Sequence, residues 1–239
     1  MATEHRIEGQ VALVTGASRG IGYAIADKLA EMGAHVAICA RNEAPLHEAA
    51  SHLRKHGGEV FLMAADMTKA PDIERLHREV VRALGPVEIL VNNAGIGRFG
   101  TFQNMSENDW DTTLDTNLKS VFLLSRAVAK DMIERRAGHI INIASLAGKN
   151  AFAGGAIYCA SKWGLLGLTQ CMSEDLRGYG IRVSAVCPGT VATEFSPHQG
   201  KDPAKMLQPS DVAHAVAALV TQGPQSFMSE ILLRPLQKP

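Results

Sequence analysis

A glycine-rich turn near the start of the chain has the composition and spacing of a phosphate-binding loop. The predicted strand 11–15 runs directly into Gly16-Ala17-Ser18-Arg19-Gly20-Ile21-Gly22, and a predicted helix follows. Gly16 permits the sharp turn, Gly20 lets the backbone approach a pyrophosphate, and Gly22 lets helix and strand pack closely. The N–H groups that begin the helix would face the phosphates. A merely tight turn would also use these glycines, but the first strand–helix junction favours a dinucleotide site.

The end of the second predicted strand indicates which dinucleotide would bind. Proteins that bind NAD usually have an acidic residue there, which accepts hydrogen bonds from the ribose hydroxyls. This chain reads Cys39-Ala40-Arg41-Asn42 instead, without a carboxylate. Arg41 and Arg19 can both pair with a 2′-phosphate through charge-assisted hydrogen bonds. Either arginine alone would suit a solvated surface, but the two together, with no acid, predict NADP(H).

Four polar residues further along the chain are candidates for chemistry at the same site. Tyr158 and Lys162 are four positions apart in a predicted helix, so both side chains fall on one helix face. Ser145 follows the predicted strand 139–144, and sheets of this kind bind ligands at the carboxyl ends of strands. Asn117 lies inside a long predicted helix, where a buried amide needs partners. The ordinary alternatives are a half-buried tyrosine for Tyr158, a surface lysine for Lys162 and a helix cap for Ser145. A chain that binds a dinucleotide makes these alternatives less favoured.

The elements that must position these residues follow from the hydrophobic pattern. The predicted strands are 11–15, 35–40, 59–64, 88–91, 139–144, 182–187 and 230–233, and the helical segments between them include 22–32, 44–56, 71–84 and 106–136. Most strands are dense in Val, Ile and Ala, as expected for strands buried on both faces. Strict alternation of strand and helix predicts an α/β, Rossmann-type, doubly wound parallel sheet of about seven strands, with helices on both faces. We expect one domain over residues 1–239.

Glycine and proline mark the ends of several predicted elements. Gly33 and Gly57 stand where helices should end, and Pro71 stands where one should begin. The least regular stretch is 190–209, which includes Pro197 and Gly200. Because it is too long for a routine loop in a compact domain, we expect a lid over a site.

Charge and cysteine content limit the classes of partner. Lys+Arg and Asp+Glu both number 24, so the formal net charge is +0 at pH 7, which argues against nucleic acid or an anionic membrane as partner. The cysteines, which are Cys39, Cys159, Cys171 and Cys187, match no zinc or redox motif. We therefore predict reduced thiols, no metal and a cytoplasmic location. Residues 1–10 lack an apolar stretch of the signal-peptide type, and no segment approaches the length of a membrane span.

These motifs together resemble the short-chain dehydrogenase/reductase family over essentially the whole chain. The resemblance rests on 15–22, Asn92-Asn93-Ala94-Gly95, Asn117, Ser145, Tyr158-Cys159-Ala160-Ser161-Lys162 and Pro188-Gly189, in the family's order. It implies that Tyr158 is the general acid in reduction and the base in oxidation. By the same resemblance Lys162 lowers the tyrosine pKa and holds the nicotinamide ribose. Ser145 would bind the substrate oxygen, and Asn117 would hold a water in a proton relay.

The resemblance also implies contacts with the cofactor. Asp66 resembles the acid that hydrogen-bonds the adenine, although a strand-end cap is a fair alternative. The remaining expected contacts are Gly16, Ser18, Arg19, Gly20, Ile21, Gly22, Arg41, Asn93, Ala94, Gly95, Tyr158, Lys162, Pro188, Gly189, Val191 and Thr193.

An NADPH-dependent carbonyl reductase is the activity that we expect. The alternatives are a 3-oxoacyl-[acyl-carrier-protein] reductase, which the chain closely resembles, and a non-catalytic module that senses or binds NADP. We expect Phe152, Phe195 and Met206 to give the pocket an apolar lining. Carrier-protein reductases present arginines beside the pocket mouth, at positions where this chain has Arg135, Arg136 and Tyr179, so half of that patch is missing unless Arg177 or Arg182 replaces it. A free small or medium carbonyl compound is therefore the expected substrate.

The resemblance predicts a homodimer or homotetramer. The segments 106–136 and 156–179 are expected to form the dimer surface. Many members end in a strand followed by paired glycines, whereas this chain ends in Arg234-Pro235-Leu236-Gln237-Lys238-Pro239, which makes a tetramer less secure.

Overall fold

The computed structural model describes residues 7–195 and 202–239, which contain one parallel sheet of seven strands. The strands are β1 (Val11–Thr15), β2 (His35–Ala40), β3 (Val60–Ala64), β4 (Ile89–Asn92), β5 (Gly138–Ile143), β6 (Ile181–Pro188) and β7 (Glu230–Leu233). Their order across the sheet is β3-β2-β1-β4-β5-β6-β7. The predicted doubly wound sheet is confirmed, and every strand lies within two residues of its predicted bounds.

The helices of the described residues cover both faces of the sheet. They are α1 (Gly20–Glu31), α2 (Glu43–Leu53), α3 (Ala70–Leu84), α4 (Glu107–Leu114), α5 (Ser120–Arg135), α6 (Ala156–Leu176) and α7 (Pro209–Val220). One core joins α1, α2 and α7 to the sheet, and other cores join α3, α5 and α6 to the opposite face. Because every strand is parallel to its neighbours, the carboxyl ends meet at one edge.

The predicted helical segment 106–136 is helical from Glu107 to Arg135, but its middle is not α-helical. A π-helix, Asp115–Lys119, separates α4 from α5. A π turn closes an i→i+5 hydrogen bond and so inserts one residue into the helical repeat, often at a functional site. The insertion turns Asn117 into the protein, where its side chain is buried.

Residues at the ends of elements adopt the expected backbone. Gly33 ends the turn after α1 with φ +89°, and Gly57 follows α2 and a short 3-10 turn with φ +90°, a region that L side chains rarely adopt. Pro71 occupies the first turn of α3, where its missing N–H leaves no helical hydrogen bond unmade.

The expected lid is only partly within the described residues, because 196–201, with Pro197 and Gly200, lie outside them. The flanking parts are tied together: Val191 and Leu207 form a parallel bridge, and the Ala192 N–H donates to the Leu207 carbonyl at 2.8 Å. In the described part of the chain, no helix is long and apolar enough to cross a bilayer.

Candidate active site

A cavity of about 950 Å³ opens at the carboxyl edge of the sheet. Its lining comes from residues that follow β1, β4, β5, β6 and β7. The expected site residues in the lining are Gly16, Arg19, Gly20, Ile21, Gly22, Asn93, Ala94, Gly95, Ser145, Tyr158, Lys162, Pro188, Gly189, Val191 and Thr193. Ser18, Arg41, Asp66 and Asn117 do not line it. The fold therefore brings the glycine turn and the tyrosine–lysine pair into one space.

The glycine turn leaves no room for a side chain at Gly16 or Gly22. Gly16 has φ +65° and Gly20 has φ +60°. A Cβ on Gly22 would lie 2.4 Å from the Gly16 carbonyl oxygen and 2.4 Å from Asn93 Nδ2. Gly22 thus allows the start of α1 to fold back against the turn itself, and α1 begins at Gly20 with its N-terminus beside the cavity.

The turn after β4 is fastened to the glycine turn by side-chain hydrogen bonds. Asn93 Nδ2 donates to the carbonyl oxygens of Thr15 and Gly16 at 2.9 and 3.1 Å. The Thr15 hydroxyl oxygen accepts from the backbone N–H groups of Asn93 and Ala94, each at 3.0 Å. Asn93 therefore holds two turns in register, a structural role that its motif did not reveal.

Asn117 stands behind the cavity and binds the segment that follows β4. Its Oδ1 accepts from the Ile96 N–H at 2.8 Å, and its Nδ2 donates to the Ile96 carbonyl at 2.9 Å and to Ser161 Oγ at 3.0 Å. The Ser161 hydroxyl in turn donates to the Tyr158 carbonyl at 2.7 Å. The π-helix residue is thus connected to the helix turn that carries Tyr158 and Lys162.

Tyr158 and Ser145 both line the cavity. Burial raises the pKa of Tyr158 to about 12, although a hydrogen bond with the Ser145 side chain lowers it. Ser145 follows β5 and also caps a 3-10 turn, since its Oγ accepts from the Ala147 N–H at 3.1 Å. The catalytic and the capping interpretations of Ser145 are therefore compatible.

Lys162 lies one helical turn beyond Tyr158 and is buried. Its ammonium donates to the Ile143 carbonyl at the end of β5, at 2.9 Å, and lies 5.8 Å from the centre of the Tyr158 ring. Burial lowers the pKa of Lys162 to about 8. It is thus no snorkelling surface lysine, because its ammonium is buried beside the Tyr158 ring.

The residues expected at the adenosine end lie on neighbouring strand ends. Arg41 follows β2, and Asp66 follows β3 by two residues. The Thr68 backbone N–H bonded to the Asp66 carboxylate lowers the pKa of Asp66, and the Thr68 hydroxyl, Lys69 and Arg41 lower it further. The Arg19 guanidinium forms an exposed ion pair with Glu194, which also lines the cavity.

Comparison with known proteins identifies the family. The model of the short chain dehydrogenase family matches residues 10–204. The chain belongs to this family. A short-chain oxidoreductase from a metagenome, solved in complex with NADP, is 44% identical to this dehydrogenase, with a TM-score of 0.87 over 98% of this chain and 100% of that one.

Curated relatives of the dehydrogenase include reductases of different substrates. A 3-oxoacyl-[acyl-carrier-protein] reductase of Vibrio cholerae is 39% identical and aligns over 90% of this chain and 91% of its own. A sepiapterin reductase of Chlorobaculum tepidum is 36% identical over 94% and 96% of the two chains. Family membership therefore leaves the substrate to be argued from the pocket.

The cavity is also lined by residues that were not predicted from the sequence. They are Phe99, Leu146, Thr190, Glu194, Arg234 and Lys238, among others. Phe152 and Phe195 line it as expected, whereas Met206 is buried away from the lining, so its assignment to the pocket is wrong. Phe99 stands seven residues after β4, and inspection of every segment that follows a strand would have found it.

The arginines expected beside the pocket mouth lie elsewhere in the dehydrogenase chain. Arg136 precedes β5 and Tyr179 precedes β6, so both stand at the amino edge of the sheet. The cavity opens at the carboxyl edge. Within one chain, residues just before parallel strands lie at the opposite edge from residues just after them, so Arg136 and Tyr179 do not border this chain's own cavity.

Proposed function

We propose that this protein is an NADPH-dependent carbonyl reductase in which Tyr158 delivers the proton. We also propose that residues 1–239 form one domain. The observation that carries the proposal is the position of the buried Tyr158 side chain, which lines one cavity together with Ser145, Lys162 and the glycine turn. A relative of known structure was solved with NADP, which supports the same cofactor here.

The residues of this chain fit a dinucleotide. Gly16 and Gly20 adopt left-handed backbone, and the N-terminus of α1 stands beside the cavity. Arg19 and Arg41 would bind the 2′-phosphate, Asp66 the adenine, and the segments 93–95 and 188–193 the ribose and carboxamide. When bound, NADPH supplies the hydride.

Each catalytic side chain then has a separate task. Ser145 would orient the substrate oxygen, and the Tyr158 hydroxyl would donate its proton to that oxygen. The Lys162 ammonium would stabilise the phenolate that remains and bind the nicotinamide ribose. Asn117 holds the helix turn of Tyr158 through Ser161 and would place a water for the relay that returns a proton through Lys162.

The test is a panel of ketones, diketones and acetoacetyl thioesters, assayed with NADPH for the wild type and Tyr158→Phe. We expect turnover that the substitution lowers by about two to four powers of ten, since the general acid is lost while the phosphate contacts remain. NADPH binding, measured by fluorescence titration, is the control and should stay near wild type. A variant with near wild-type kcat would contradict the mechanism, and no turnover at all would favour a non-catalytic NADP-binding module.

A 3-oxoacyl-[acyl-carrier-protein] reductase is the second candidate, because curated relatives have that name.

Free thiols at all four cysteines suit the cytoplasm, where we place the enzyme.

We propose a homodimer formed by α4, α5 and α6. Large apolar side chains are exposed along these helices, namely Trp110, Phe122 and Trp163. Phe122 lines a shallow groove together with Leu118 and Leu168. Exposed apolar surface of this kind commonly marks a protein interface. Sedimentation equilibrium measures the assembly directly, and a monomer at micromolar concentration would refute it.

A further inference from the structure

Three phenylalanines from three separate segments cluster beside Tyr158 in the candidate site, two of them in contact with its ring and the third in contact with Phe99. Phe99 follows β4, Phe152 lies between β5 and α6, and Phe195 follows β6. The ring centres of Phe99 and Tyr158 are 5.4 Å apart, edge to face, and those of Phe195 and Tyr158 are 5.7 Å apart. The Phe152 ring centre lies 6.2 Å from that of Phe99.

We propose that Phe99, Phe152 and Phe195 form an aromatic wall that binds an aromatic substituent of the carbonyl substrate. The proposal rests on the proposed function, since it concerns the group attached to the carbonyl that Tyr158 would protonate.

Exposure shows that the wall is open towards the cavity. The three rings are between 40% and 49% exposed, yet all line the cavity that contains Tyr158. Exposed aromatic side chains that line the same cavity as Tyr158 leave apolar surface to be covered when a substrate enters. The wall therefore favours a ligand that brings apolar surface to the carbonyl group.

Two glycines leave room for the phenylalanine rings to lie against the backbone. A Cβ on Gly97 would come within 2.5 Å of the Phe99 ring and 3.1 Å of the Phe195 ring. A Cβ on Gly155 would come within 2.5 Å of the Phe152 ring. The rings thus lie directly against backbone, which restricts the positions that they can take.

This geometry favours a flat substituent over a saturated one. Aromatic rings attract one another in edge-to-face and tilted arrangements beyond the effect of buried area. A flat ring can contact more than one of the three phenylalanine rings at once, whereas a saturated ring of similar volume gains only the burial of apolar surface. The expected substrate class is an aryl-substituted ketone or aldehyde rather than a plain alkyl carbonyl.

The experiment compares 4-phenyl-2-butanone with 4-cyclohexyl-2-butanone, which have the same carbon skeleton length and carbonyls not conjugated to the ring. Each is assayed with saturating NADPH for the wild type, Phe99→Leu, Phe152→Leu, Phe195→Leu and Gly97→Ala. The matched control is Phe102→Leu, because Phe102 is 81% exposed and outside the cavity lining. Circular dichroism and NADPH titration check that each variant folds and binds cofactor.

We expect the wild type to favour the phenyl ketone in kcat/KM, and each leucine variant to lower that preference about two- to tenfold. Gly97→Ala retains all three rings but displaces two of them, so it should lower the preference mainly through KM. Phe102→Leu should leave it unchanged. Equal efficiencies for the two ketones in the wild type, or a preference that survives in every pocket variant, would overturn the proposal.

Calorimetric binding of both ketones to the complex with NADP⁺ separates the two proposals. Preferential binding of the phenyl ketone without any turnover would retain the aromatic wall and reject the reductase. Turnover without a phenyl preference in either measurement would retain the reductase and reject the wall.

Discussion

At the scale of single residues, the preference for NADPH depends on how strongly each exposed arginine is already attracted to a carboxylate of the protein. Arg19, which we assign to the 2′-phosphate, is paired with Glu194, another residue of the cavity lining. A phosphate that binds Arg19 must compete with this carboxylate. Arg41 is exposed on the end of β2 and has only the Asp66 carboxylate to attract it among the interactions described. The two arginines should therefore differ in how much of their charge reaches the cofactor.

We expect the wild type to prefer NADPH and Arg41→Asp to lose roughly one to two powers of ten of that preference, because one charge-assisted hydrogen bond is replaced by repulsion. Glu194→Gln should increase the preference by no more than about fivefold, since exposed ion pairs contribute little. The ratio of kcat/KM for NADPH and NADH is the measurement.

Glu174→Gln is the matched control, because Glu174 also has an exposed arginine partner, Arg177, but lies on α6 outside the cavity lining. Equal wild-type efficiencies with NADPH and NADH, or an unchanged ratio in Arg41→Asp, would refute the arginine assignment.

At the scale of elements, the strands were predictable and the details between them were not. The buried run of β2 is apolar at nearly every position, so its bounds follow from the sequence alone. The π-helix at Asp115–Lys119 inserts one residue into a helical pattern, and hydrophobic periodicity does not register a single insertion. The link between Asn93 and Gly16 joins residues that are 77 positions apart, which no local pattern reveals.

A buried histidine connects two of the strands that position the site. His139 of β5 places its Nε2 2.9 Å from Ser184 Oγ of β6, and the Ser184 hydroxyl donates to the Met228 carbonyl at 2.7 Å. Since the serine proton is already committed, Nε2 is the donor in the first bond. Burial, with the nearby Arg182 charge, lowers the pKa of His139 to about 3.

We expect the free energy of unfolding to fall as the pH falls from about 6.5 towards about 3. The unfolded chain binds a proton at His139 in this window and the native protein does not, so acid favours the unfolded state, by a few kcal/mol at most. His139→Gln retains a donor for Ser184 and removes the titrating ring, so its stability should vary less over this window. Urea unfolding at each pH is the measurement.

His47→Gln controls for the loss of a histidine, because His47 is exposed on α2. If the His139 variant and the wild type had the same pH dependence, the neutral buried imidazole would be excluded as its cause.

At the scale of the whole molecule, the candidate catalytic residues and the arginines considered for carrier-protein docking lie at opposite edges of the sheet within one chain. Lys+Arg and Asp+Glu balance at 24 each, so summed charge provides no general attraction for an acidic partner. At the amino edge, the Arg136 guanidinium donates to the Gly178 carbonyl at 3.2 Å and lies 6.0 Å from the centre of the Tyr179 ring. Arg182 donates to the carbonyls of Gly223, Pro224 and Ser226. These arginines thus serve contacts within the chain.

We therefore expect an acetoacetyl group to be reduced with similar kcat/KM whether it is attached to acyl carrier protein or to a short thioester. A docking patch would instead make the carrier-protein substrate better by orders of magnitude, and salt would weaken that advantage by screening surface charge. Arg136→Glu distinguishes the two cases: its kcat/KM for the carrier-protein substrate should match that of the wild type if no docking occurs. A large carrier-protein preference that disappears in Arg136→Glu and declines with salt would establish the second candidate function. Because both substrates present the same reacting carbonyl to Tyr158, any difference between them measures recognition of the carrier alone.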